Sequence, residues 1–156
     1  MSRTNTLLDT IRELKASGAF PQRLLVRDSA LAATVEMEVH QLDRLSIEMS
    51  MLRVTPEQGT EASLRDRAQA LARKVTGLME KLSAIEIDES RGEAMLRSDT
   101  PMAQEQDRLY YELILSRQGT TTLHRYHGSM VKSSRKEVPF TLTREALAKL
   151  IADLAQ

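Results

Sequence analysis

Between Leu64 and Leu82, apolar residues recur at Leu64, Ala68, Leu71, Val75, Leu78 and Leu82, a spacing of 4-3-4-3-4. On a helix that spacing confines them to one narrow stripe, the seam of a coiled coil. A stripe so narrow cannot be buried by its own helix. The spacing therefore predicts a helix over residues 60–83 that lies against a second helix, from this chain or from another copy.

A candidate second helix lies upstream. From about Asp28 to Val54 the apolar residues Leu31, Val35, Leu42, Leu45, Met49 and Leu52 fall on a heptad frame, with Glu38 where the frame expects an apolar residue. Thr55-Pro56-Glu57-Gln58-Gly59 separates the two runs, because proline disfavours helix in the residue before it and glycine tolerates turn angles. Two such runs joined by a turn predict an antiparallel, coiled-coil-like helical hairpin. Leu31, Val35, Leu42, Leu45, Leu64, Leu71, Val75 and Leu78 would make its helix contacts. An ordinary globular helix bundle fits the same pattern. Ser63 with Asp66, or Thr60 with Glu61, can cap the later helix. Leu7, Leu8, Ile11 and Leu14, closed by Gly18 and Phe20-Pro21, predict a short amphipathic helix over residues 5–17.

After Leu82 the period changes from helical to alternating. Ala84–Asp88 and Ala94–Arg97 read as strands around a turn at Glu89-Ser90-Arg91-Gly92. Leu109–Leu115 is the clearest strand, with Tyr111, Leu113 and Leu115 on one face and Tyr110, Glu112 and Ile114 on the other. Arg117-Gln118-Gly119 turns it into a fourth strand over 120–127, and 128–137 reads as polar and irregular. A final helix starts at Thr143, with Glu145 in its first turn, Leu142 stapled onto Leu147, and Leu147, Leu150, Ile151 and Leu154 as its apolar stripe. The expected fold is α+β: a helical region over 1–83, then a small domain over 84–156 made of a four-stranded antiparallel meander and a C-terminal helix.

The chain has 156 residues, no cysteine, three aromatic residues in every hundred and a formal net charge of zero. That length buries a core without staples, and the absence of cysteine excludes disulfides, thiol nucleophiles and cysteine-based zinc sites. Charged residues interrupt the apolar positions of the first 20 residues, and no apolar run approaches the roughly 18 residues of a membrane helix. A soluble, cytoplasmic protein without membrane contact is expected.

No motif carries chemistry. Phosphate-binding glycine loops and nucleophile elbows are absent. His124 and His127, three apart on a strand, point to opposite faces, and His40 stands alone. The acids Glu86, Asp88, Glu89 and Glu93 lack the order of a calcium loop and suit a solvated sheet edge. No catalytic, cofactor or metal residue is therefore expected, and no enzymatic activity. Charge is segregated: residues 80–107 hold eight acids and three bases, residues 108–136 six bases and Glu112 alone. The two halves could pair across the sheet. Alternatively Arg117, Arg125, Lys132, Arg135 and Lys136, interleaved with Tyr110, Tyr126 and His127, could bind single-stranded nucleic acid or an acidic partner. The leading expectation is a non-enzymatic adaptor or assembly subunit that binds itself, another protein, or both; a nucleic-acid-binding module is the alternative and an enzyme with an unmarked site the third.

Overall fold

Residues 33–39 read Ala-Thr-Val-Glu-Met-Glu-Val, a strict alternation in which Ala33, Val35, Met37 and Val39 are almost wholly buried and the residues between them are not. A period of two places one side of an extended chain against a core. The computed structural model describes Asp9 and residues 20–59, 61–78, 80–98, 107–129 and 134–156. In it this segment belongs to an inner strand of a sheet, next to the edge strand. The strands are β1 (Gln22–Asp28), β2 (Ala33–Leu42), β3 (Ser46–Pro56), β4 (Leu82–Asp88), β5 (Glu93–Ser98), β6 (Asp107–Ser116), β7 (Thr121–Ser129), β8 (Ser134–Val138) and β9 (Phe140–Thr143). Among residues 20–156 as described, the helices are α1 (Leu64–Lys74) and α2 (Arg144–Leu154).

The expected helical hairpin is overturned, and with it the coiled coil and the balanced α+β description: the chain is mostly β. Residues 28–54 form the end of β1, β2 and β3. Leu31 lies in the β1–β2 turn, Val35 and Leu42 in β2, and Leu45 in the β2–β3 turn, where it is 78% exposed. The helix expected over 60–83 is eleven residues long. Leu64, Ala68 and Leu71 form its buried stripe; Val75 ends it, Leu78 follows in a turn, and Leu82 opens β4. The stripe is buried against the sheet. Of the short helix expected over 5–17, all but Asp9 lies outside the described residues.

All neighbouring strands are antiparallel, in the order β1-β2-β3-β7-β6-β5-β4. The consecutive strands β4 to β7 occupy the segments that alternate in the sequence between 84 and 127. The boundary expected at 83/84 falls inside β4. The segment read as irregular up to Glu137 contains β8.

β3 and β7 share three residue pairs, Leu52↔Leu123, Arg53↔Thr122 and Val54↔Thr121, and then part. Below the fork β7 pairs with β8 through Arg125–Ser129, while β3 pairs with β9 through Ser46–Met49. Pro139, which has no N–H to donate, separates β8 from β9 where the chain crosses from one limb to the other. Two irregularities in the β2–β3 register insert His40 on one strand and Ser50 on the other. Each reverses which alternate residues face the core: Val39 then Leu42 on β2, Met49 then Leu52 on β3.

Both helices cover one face of the sheet. Leu64, Ala68 and Leu71 of α1 and Leu147, Leu150, Ile151 and Leu154 of α2 join a single cluster with Met37, Met49, Leu52, Leu96, Leu113 and Leu123. Each helix starts on a hydroxyl cap: the Asp66 N–H donates to Ser63 Oγ at 3.1 Å and the Ala146 N–H to Thr143 Oγ1 at 3.1 Å. Arg67, 7% exposed, ties α1 to the β6–β7 turn by donating to the carbonyls of Ser116 (3.1 Å) and Gly119 (3.2 Å). Burial lowers its pKa, and those two carbonyls compensate the buried cation.

Leu123 lies at the junction, fully buried and opposite Leu52. Leu123→Ala should cost about 2–5 kcal/mol, as large-to-small core changes do. Because the junction is shared, the urea transition should move to lower concentration as one step; two separate steps would show that the limbs fold independently.

Candidate interaction face

The face away from the helices carries no covering element among the described residues. The register reads across it as one row, Leu25, Glu36, Arg53, Thr122, Ile114, Met95 and Glu86. Arg53 is fixed there by Glu36 Oε2 (3.1 Å) and Thr122 Oγ1 (3.2 Å), and Arg23 pairs with the other oxygen of Glu36 at 2.9 Å.

Glu112 organises the adjoining region. It belongs to β6, whose other face carries Tyr111 and Leu113 into the core, yet only 5% of its side chain is exposed. Two arginines close over it: Arg97 of β5 donates to Oε2 at 3.2 Å and Arg135 of β8 to the same oxygen at 2.6 Å. Each guanidinium also lies over a tyrosine ring, Arg97 at 4.8 Å from the Tyr110 centroid and Arg135 at 3.9 Å from that of Tyr126. The two rings are 5.8 Å apart, and His124 flanks Tyr126 at 6.0 Å. Cation–π contact and a shared carboxylate thus lock five side chains from four strands into one layer. Burial would lower the pKa of Arg135, but its hydrogen bonds to Tyr110 and Glu112 raise it overall; burial raises that of Tyr126.

Beside this layer, over β4 and β5, lies a pocket of about 230 Å³ floored by Met95 and Ile114. Glu86, Asp88, Arg91 and Glu93 rim it, and Glu112 and Arg135 form its inner wall. Asp88 is held below the usual carboxylate range by the Ser90 hydroxyl and the Arg91 N–H.

The five basic residues singled out from the sequence are not brought together. Arg135 belongs to the Glu112 layer. Arg125 lies on the opposite face, over the Tyr111 ring at 4.2 Å and paired with Glu80 at 3.0 Å. Arg117 lies in the β6–β7 turn and donates to the Glu89 carbonyl. Lys136 is exposed on β8 opposite His127 in register, and Lys132 lies outside the described residues. Arg97–Glu112, Arg125–Glu80 and Arg117–Glu89 all join the acidic half to the basic half. Sequence reasoning missed Arg97, and it missed Glu112 as the hub, although Glu112 is the single acid of residues 108–136 and falls on the polar side of the clearest strand.

Among the described residues no group of three or more His, Cys, Asp or Glu side chains could hold a metal ion, and no helix is long and apolar enough to cross a membrane. No protein-family model, curated protein or solved structure matches this chain.

Glu112→Gln should weaken the fold by about 1–3 kcal/mol, since a charged acceptor serving two guanidinium groups is lost. The deficit in urea midpoint should narrow in high salt, where the lost charge interaction is screened in the parent. A variant matching the parent at every salt concentration would show that the rings alone hold the arginines.

Proposed function

We propose that this chain is a non-enzymatic interaction or assembly subunit whose contact surface is the outer face of its sheet, and that the partner is a protein, either a second copy or a different chain. The observation that carries this reading is the Glu112 layer. Tyrosine and arginine are the residue types most enriched at the energetic centres of protein interfaces. Here two of each are held in one arrangement before any partner arrives, which reduces the ordering cost of association. The helical seam first expected to mediate assembly is spent on the chain's own core, so the interaction role passes to the sheet.

The nucleic-acid alternative draws less support from the same geometry. Arg97 and Arg135 are both engaged by the Glu112 carboxylate, and they lie on the tyrosine rings on which bases would stack. With Arg125 on the other face, the basic residues that are described form no continuous track for a phosphate backbone.

A photo-cross-linking residue at Thr122, on the outer face, should capture a discrete protein in the cells that make this chain. One at Gln69, on the exposed side of α1, should not. Tyr126→Ala combined with Arg135→Ala should abolish the Thr122 adduct while the chain stays folded. Equal capture from both positions, or salt-dependent binding of an oligothymidine that the same double variant loses, would refute the reading.

A further inference from the structure

We propose that the pocket on the β4 side of the outer face is a receptor for one cationic side chain, an arginine or lysine, presented by the protein partner; this rests on the reading of that face as an interaction surface. The pocket's two halves match the two halves of such a side chain. Met95 and Ile114 supply an apolar floor for the alkyl stem, and the carboxylates of Glu86, Asp88 and Glu93 supply the rim for the charged head.

The register gives an independent reason to expect a cation there. Asp88 and Glu93 stand directly opposite one another across β4 and β5, and Glu86 is on the same face, opposite Met95. Like charges in directly opposed positions destabilise a sheet, and a cation placed between them relieves that repulsion. Toward the middle of this face Glu36 is matched with Arg23 and Arg53, and Glu112 with Arg97 and Arg135. Among the described residues neither Glu86 nor Glu93 has an ion-pair partner. Arg91 faces Asp88, and Glu112, the remaining acid of the lining, is already committed to its arginines. The unmatched charge of the pocket is therefore negative, and it surrounds an apolar floor. The rim carboxylates do not converge as a metal-holding group, and the space of about 230 Å³ suits an elongated organic cation.

The full chain labelled with ¹³C-methyl methionine reads this directly, Met95 being assigned by its loss in Met95→Leu. Acetyl-Gly-Gly-Arg-Gly-Gly-amide should shift the Met95 methyl in a saturable way. The peptide with citrulline in place of arginine, neutral and nearly the same shape, should bind at least about tenfold more weakly. Glu86→Gln with Glu93→Gln should weaken arginine binding by a similar factor, while the melting temperature stays level or rises because the opposed charges are gone.

Four results would overturn the proposal: no Met95 shift with the arginine peptide, equal binding of the citrulline peptide, displacement of the Met95 signal by calcium ion at concentrations where the peptide has no effect, or a lower melting temperature for the double variant. Should the peptide fail while the Thr122 adduct persists and still requires Tyr126 and Arg135, the pocket is refuted and the interaction face stands. Should both fail, both are refuted.

Discussion

Three residue pairs between β3 and β7 are the strand pairing that joins the two limbs of this sheet. Everything on one side, β1, β2, β3 and β9, and everything on the other, β4 to β8, meets there and then diverges. A sheet of this many strands accumulates twist, and one that did not curl or divide would leave a broad face for two short helices to cover. The fork divides it. α2 follows directly from β9 and packs on β3, while α1 packs on β4 and β5, so each limb brings its own lid and the two lids touch each other. The T-shaped contact of Tyr111 with Phe140, ring centroids 5.5 Å apart, packs a strand of one limb against the crossing segment that enters the other.

The C-terminal half of this architecture was legible because its strands keep their period; the N-terminal half was not, for a definite reason. In an uninterrupted strand, residues seven apart lie on opposite faces, so a heptad of apolar residues cannot all reach one core. A bulge adds one residue and reverses the parity. Val35 and Leu42 straddle the bulge at His40, and both belong to the core side. Leu45 and Leu52 straddle the one at Ser50, yet Leu45 has left the strand for an exposed turn. The heptad read over 28–54 was thus composed of two bulges and a turn. The alternation of 33–39 was the stronger signal, since four consecutive inward positions agree on it and only Val35 of these is shared with the heptad frame. For α1 the period was correct and its extent was not. Leu78 and Leu82 continue the stripe in number after the helix has ended at Val75, because the chain that follows runs back over the same core.

The candidate site was legible in its composition and illegible in its grouping. Counting bases along residues 108–136 ignores that successive strand residues face opposite ways: Arg125 and Tyr126 are neighbours in sequence and belong to different sides of the sheet. The segregated charge was the stronger hint when read as pairing. Arg97 is one of three bases in the acidic half and Glu112 the one acid in the basic half, and the structure joins that minority pair across β5 and β6. The position of Arg135 could not be read, because β8 is itself a polar, non-alternating run (Ser-Arg-Lys-Glu-Val) and its partner strand is set by the fork.

A carboxylate nearly buried on the uncovered face of a sheet asks for a physical reason. Among the described residues no helix or strand lies over Glu112; the two arginines that bind it shield it, so its burial and its pairing are one arrangement. The net contribution of such a cluster to stability is smaller than the cost of removing its carboxylate, since the guanidinium groups remain more than a third exposed and solvent screens them. What it does supply is order. The tyrosine rings would otherwise sample rotamers over a flat, polar surface, and arginine loses much of its freedom whenever it is fixed at an interface. Fixing them intramolecularly moves that loss into folding and leaves association to gain from desolvation and contact. At positions 97 and 135 β-propensity alone would favour threonine or valine over arginine. Long, aromatic and charged residues locked together at positions 97, 110, 126 and 135 fit a surface built to be met by another molecule.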